Sequence, residues 1–363
     1  MMPGARPILI AHRGASAYRP EHTLAAYALA IDQGADFIEP DLVASADGQL
    51  IARHENALAV LGADGQLDRT NTSTNVYAHP EFANRLTHKD LDGVRLHGWF
   101  SEDFTLAEIK TLRAVERIPI LRPQNTAYDG EFEIPTLTEI VALVRAVEAS
   151  SGRRVGIYPE TKHPSYFQHD GRRLGGESIG IDLSQRLLEE LISLRFTDPS
   201  RVFIQSFESA NLRALATQLL PAAQLSIPLI QLIDATGAPR DFTLSGDPRR
   251  YADLITPEGL GFIGTYAHGV GVPKRLVMPD SSNGPTRLVT HAHAAGLDVH
   301  VWTFRPENHF LPPGYRHGAA PDAHGGLAAE IEVHLAAGID GLFVDSPDLG
   351  RAAIRARFAA TPG

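Results

Sequence analysis

The chain has 363 residues, a length that a single α/β barrel can fill, so two domains are not required. Hydrophobic residues make up 43% and charged residues 21%, an ordinary globular composition that excludes a wholly disordered chain. The formal net charge of -10 argues against nucleic acid or an anionic membrane surface as the main partner, and any phosphate bound here must meet a local cation.

Cysteine is absent, which excludes disulfides, thiolate metal sites and thiol nucleophiles and leaves the redox compartment open. The N-terminal stretch MMPGARPILIAHRG lacks a charged region followed by a long apolar one, so no secretory signal is expected in it. The compartment expected is periplasmic or secreted if a leader has been removed, and cytoplasmic otherwise. No segment approaches the roughly 18 consecutive apolar residues of a membrane span.

From Ile8 onward, short β-rich runs alternate with helical patterns, the signature of βα units around a parallel sheet. Strands are expected at Ile8–His12, Phe37–Leu42, Val155–Glu160, Val202–Ser206, Leu225–Gln231, His268–Val272, Val299–Phe304 and Leu342–Asp345. Helices are expected at Leu24–Gln33, Thr136–Ser150, Leu183–Leu194, Ser209–Leu219, Thr286–Ala295 and Gly326–Ala337. Glycine follows several of them, as at Gly34, Gly296 and Gly338, where a left-handed residue ends a helix well. Eight such strands make a TIM-type (β/α)8 barrel in one domain spanning 1–363. Two polar stretches break the rhythm, 56–103 and 306–325. Each follows a strand's C-terminal end, where barrel enzymes carry their active sites, and both read as insertions.

Chemistry concentrates on strand ends. His12 and Arg13 close the first strand, placed for catalysis and phosphate contact. In FIEPDLVASADGQLIARHE, Asp47–Gly48 is a two-residue hairpin signal. Pairing about that turn sets Asp41 directly opposite His54, with Cβ atoms roughly 4.5–5.5 Å apart. Glu39 shares the face of Asp41 by the twofold strand period. Two neighbouring acids repel unless a cation lies between them, and an all-oxygen pair suits Ca2+ or Mg2+ rather than Zn2+. Pro40 between them marks an irregularity in the strand. Glu160 and Lys162 share a face at the end of the third strand, placed either as site residues or, on the purely structural alternative, as a strand-end ion pair.

Taken in order, HRGASAYRPEHT, GADFIEPDLVASADGQLIARHE and GIYPETKHP resemble three successive signatures of the glycerophosphodiester phosphodiesterase family, most of all its periplasmic branch. VFIQSF at 202–207, HVWTF at 300–304 and GLFVDSP at 341–347 extend the resemblance over nearly the whole chain. The resemblance implies His12 and His54 as general acid and base, Glu39, Asp41 and Glu160 as ligands of one divalent cation, and Arg13 and Lys162 as phosphate contacts. It also implies cleavage of small glycerophosphodiesters to sn-glycerol 3-phosphate and an alcohol, with the glycerol 2-hydroxyl attacking through a cyclic phosphate. Glu55 stands where the family usually carries aspartate, one methylene shorter.

Trp302, Tyr158 and Phe207 lie near strand tops and could pack on the alcohol, Trp302 over a choline cation. His22 is expected to position the first loop. His79, His88, His309, His317 and His324 are expected to be solvated loop residues. A barrel phosphodiesterase acting on lipid, resembling the phosphatidylinositol-specific phospholipases C or sphingomyelinases D, would be favoured by exposed apolar loops, and a catalytically dead phosphate-sugar binding barrel would need a lost histidine or ligand. Neither loss nor loop is visible.

Overall fold

Residues 6–280 and 284–359 are described by a computed structural model. The first five residues of the stretch read above for a leader lie outside them. Eight parallel strands form where the apolar runs fall: β1 (Ile8–His12), β2 (Phe37–Glu39, resuming as Asp41–Ala44), β3 (Gly156–Ile157, resuming as Glu160–Thr161), β4 (Ile204–Ser206), β5 (Leu229–Leu232), β6 (Gly269–Pro273), β7 (Asp298–Phe304) and β8 (Gly341–Val344). Each pairs with the next, and β8 pairs with β1, so the sheet closes into a TIM barrel.

Three expected strands are altered, each at a proline. β2 and β3 are interrupted side by side at Pro40 and Pro159. Proline lacks only the donor, so both carbonyls still serve the ladder: Pro40 accepts from Glu160 N at 2.9 Å and Pro159 from Gln205 N at 3.0 Å. β5 begins at Leu229, after Pro228, rather than at Leu225.

Several helices begin where a side chain satisfies free backbone donors of the first turn. Thr23 caps Leu24–Asp32, Thr136 and Glu139 form a reciprocal capping box on Leu137–Ser151, and Asp182 accepts from Ser184 N and Gln185 N ahead of Leu183–Ser193. Among the described residues no helix is long and apolar enough to cross a membrane.

The expected hairpin exists, but its register is shifted by one. Leu42 pairs with Ala52, Val43 with Ile51 and Ala44 with Leu50, so Asp41 does not face His54; its carbonyl accepts from Arg53 N at 3.0 Å. The cause is the turn. Only Gly48 takes a positive φ (75°), and Ser45 N bonds to Gln49 O, closing a three-residue loop. Asp47 is held out of that conformation by its carboxylate, which accepts from Ser45 Oγ and Leu106 N. A true two-residue turn occurs instead at Asp92–Gly93 (φ 50° and 87°), joining Thr87–Leu91 to Val94–Phe100. With Ala57–Leu61 these two make a three-stranded antiparallel sheet beside the barrel.

The lower barrel interior is filled by Ile10, Phe37, Tyr158, Ile230 and Phe343. Tyr158 stacks on Phe203 with ring centres 4.9 Å apart and its hydroxyl lies 2.6 Å from His300 Nδ1. Gly156 is required here, because a Cβ would meet the Phe37 ring at 2.1 Å. Tyr158 therefore belongs to the floor of the barrel rather than to a surface that packs on an alcohol.

Candidate active site

Above that floor lies a cavity of about 430 Å³, a volume ordinary for a small-molecule site. Every barrel strand except β6 contributes to its wall, including His12 from β1, Glu39 from β2, Glu160 from β3, Gln205 from β4 and Trp302 from β7. Arg13, His54, Lys162 and Phe207, also expected from sequence, line it too, with Arg117, Asp234 and Arg305 beside them; Asp41 does not line the cavity.

Glu39, Asp41 and Glu160 are buried and meet: each offers a carboxylate oxygen, and these oxygens lie within 4.8 Å of one another. The cause is local. The breaks at Pro40 and Pro159 put Asp41 level with Glu160 across the β2–β3 ladder. Glu39 Oε2 accepts from Arg13 N at 2.9 Å, and Gln205 Nε2 lies 3.2 Å from Oε1. Burial, and then the Asp41 charge, push the Glu39 carboxyl well above its usual range. Burial likewise raises Glu160 to about 8, against the opposing pull of Lys162, whose Nζ lies 3.1 Å away. Asp41 is the exception: burial pushes it up, but Arg13, Lys162 and the His22 hydrogen bond hold it well below the usual range. A buried all-oxygen trio with two members reluctant to ionise fits a hard divalent cation.

The two candidate histidines share one design. His12 Nδ1 lies 2.7 Å from Asp345 Oδ1, and His54 Nδ1 lies 3.0 Å from Glu55 Oε1. A carboxylate only accepts, so each Nδ1 carries the proton and each Nε2 is left as the basic atom. Burial, then Arg13, lowers His12 to about 4, and burial, then Arg13 and Lys162, lowers His54 to about 3. His54 reaches the cavity despite the register shift because it lies beyond Leu50–Ala52, where strand alternation no longer fixes its direction. Arg53 turns inward instead, donating to Ser73 O and His22 O.

Several contributors were not legible as such. Asp345 stands in GLFVDSP, yet its partners His12, Arg122 and Arg305 come from distant parts of the chain. Glu21 joins Arg13 to Arg117 at 2.9 and 2.8 Å. His22 does more than shape a loop: fully buried, it places Nε2 2.9 Å from Asp41 Oδ2, with Tyr27 Oη on Nδ1. His88 sits on a strand stacked against His97 at 4.0 Å, not in a loop. Arg13, His22 and His163 hold positive φ angles of 61°, 56° and 50°. Such backbone costs roughly 1–3 kcal/mol per residue and concentrates where function demands it.

Phe207 and Trp302 meet edge to face on one wall, with ring centres 5.9 Å apart. A second cavity of about 330 Å³ adjoins the first through Glu160, Lys162, Phe207 and Asp234.

Comparison with known proteins gives a consistent picture. The sequence profile of the glycerophosphoryl diester phosphodiesterase family matches residues 12–349. A glycerophosphodiester phosphodiesterase of Arabidopsis thaliana is 34% identical over 326 residues, covering 85% of this chain and 77% of the relative. Another, from Haemophilus influenzae, is 28% identical over 363 residues, covering 94% of this chain and 88% of the relative. Among solved structures, an Oleispira antarctica phosphodiesterase in complex with the product sn-glycerol-3-phosphate has a TM-score of 0.56 at 19% identity, covering 96% of this chain and 97% of that one.

Proposed function

Given that the chain belongs to the glycerophosphoryl diester phosphodiesterase family, we propose that it hydrolyses small glycerophosphodiesters, such as glycerophosphocholine or glycerophosphoethanolamine, to sn-glycerol 3-phosphate and an alcohol. The observation that carries this reading is the pairing, at one cavity, of two imidazoles each backed on Nδ1 by a carboxylate with a buried trio of acids.

Glu39, Asp41 and Glu160 would hold one divalent cation, Ca2+ or Mg2+, which when bound supplies electrostatic stabilisation of the phosphoryl oxygens. Arg13 and Lys162 bind the phosphate and bear part of the charge that gathers on it. Of His12 and His54, one takes the proton from the attacking hydroxyl through Nε2 while the other delivers a proton to the departing alkoxide. Burial makes both imidazoles favour the neutral form, and a bound phosphodiester anion shifts them toward the charged form that a general acid needs. The attacking group is the glycerol 2-hydroxyl, giving a cyclic phosphate that water then opens with the two histidines exchanging roles. Trp302 packs on the alcohol. The chain acts as one catalytic domain, with 56–103 and 306–325 as insertions around the cavity mouth. The product held by the Oleispira antarctica protein of the same fold supports this choice of cleaved bond.

Product analysis tests the proposal. With glycerophosphocholine, glycerol 3-phosphate and choline should appear in equal amounts. Release of phosphocholine and glycerol, or no turnover with any headgroup, would overturn it.

A further inference from the structure

Glu55, next to His54, one of the two candidate acid–base histidines, engages two imidazoles. Its Oε1 lies 3.0 Å from His54 Nδ1 and its Oε2 lies 2.6 Å from His163 Nε2. His163 in turn places Nδ1 2.6 Å from Asp92 Oδ2. Asp92 is the first residue of the two-residue turn at the tip of the hairpin Thr87–Leu91/Val94–Phe100, while His163 follows β3 of the barrel. Both of these residues hold positive φ, 50° in each case, a conformation that persists only where surrounding contacts impose it.

The hydrogen bonding dictates the state of His163. Both ring nitrogens face carboxylate oxygens, which only accept, so both must donate and the ring is an imidazolium. A cation fixed between two carboxylates locks the rotamer of Glu55, because swinging Glu55 away would break a charge-assisted bond. Glu55 then presents its other oxygen to His54 Nδ1 and thereby fixes the tautomer that leaves Nε2 basic. The longer glutamate needs such an anchor more than an aspartate would, having one more rotatable bond. Arg240 approaches Asp92 from the barrel side, 3.9 Å from Oδ1, and adds charge to the anchored end.

We infer that His163 is a positioning residue: clamped between Asp92 of the outlying hairpin and Glu55, it holds Glu55 against His54 and so makes the hairpin part of the catalytic apparatus. This rests on the role proposed for His54. Nothing in it requires His163 to touch the substrate.

The test compares wild type with His163→Asn and Asp92→Gly, both chosen to tolerate positive φ, and reads steady-state kinetics alongside nitrogen NMR of the imidazoles. The expected result is a fall in kcat for glycerophosphocholine of about 10- to 100-fold in His163→Asn with KM little changed, and a smaller fall in Asp92→Gly. His54 should pass from a single Nδ1–H tautomer to a mixture in His163→Asn. A purely structural role would lower the melting temperature but leave kcat per folded enzyme and the His54 tautomer as they were, and that result would overturn the inference. Should no glycerophosphodiester be turned over, the functional proposal fails, yet the tautomer readout still decides whether His163 acts on His54.

Discussion

At the scale of single residues, the groups proposed to react are held in place by partners to which no chemistry is assigned. Asp345 is the plainest case. Its Oδ1 holds His12 Nδ1, while its Oδ2 takes Arg122 and Arg305 at 2.5 and 3.0 Å. Burial pushes the Asp345 carboxyl up, but those two guanidiniums and His12 keep it well below the usual range. Replacing Asp345 with Asn keeps the shape but lets the amide donate to Nδ1, which inverts the His12 tautomer. The expected result is a loss on the order of 100-fold in kcat with KM nearly unchanged. Steady-state kinetics on the folded variant, its fold checked by circular dichroism, make the measurement, and an unaltered kcat would remove Asp345 from the account. His12, His54, Glu39, Asp41 and Glu160 could be singled out in the sequence because they stand in recurring motifs at or beside strand ends. Their supports could not, since His12 and Asp345 lie 333 residues apart and only barrel closure brings them together.

At the scale of elements, the strands could be read from apolar runs, and their breaks at proline follow from the missing donor. The hairpin register could not be read from the Asp-Gly pair alone, which suits a three-residue loop at 46–48 as well as the two-residue turn at 92–93. The deciding contact was Asp47 with Leu106 N, a bond to a residue far along the chain. The clasp between the outlying hairpin and the barrel has a pH signature. Burial pulls His163 down, but Glu55 and Asp92 outweigh it and raise it to about 10, against about 6.5 in the unfolded chain. A group whose pKa is raised on folding stabilises fully below its unfolded value, and the stabilisation is lost as pH climbs through the folded one. The gap in melting temperature between wild type and His163→Asn should therefore be widest near pH 6 and close toward pH 10. Thermal denaturation across that range is the measurement, and a gap independent of pH would mean that the imidazole carries no net charge there.

At the scale of the whole molecule, a net negative protein handles an anionic substrate by concentrating cations in one cavity. Arg13, Lys162, Arg117 and Arg305 all line it, so the overall charge of -10 does not describe what the phosphate meets. Barrel closure makes this possible, because strands adjacent in space but remote in sequence deliver acids, imidazoles and guanidiniums to one end. In the function proposed above, Glu39, Asp41 and Glu160 hold a divalent cation on which hydrolysis depends. The measurement is glycerol 3-phosphate release from glycerophosphocholine, followed after chelation and again after adding Ca2+ or Mg2+. Turnover should vanish in chelator, return with one of these ions in the wild type, and fail to return in Glu160→Gln. Undiminished turnover in excess chelator would contradict the claim.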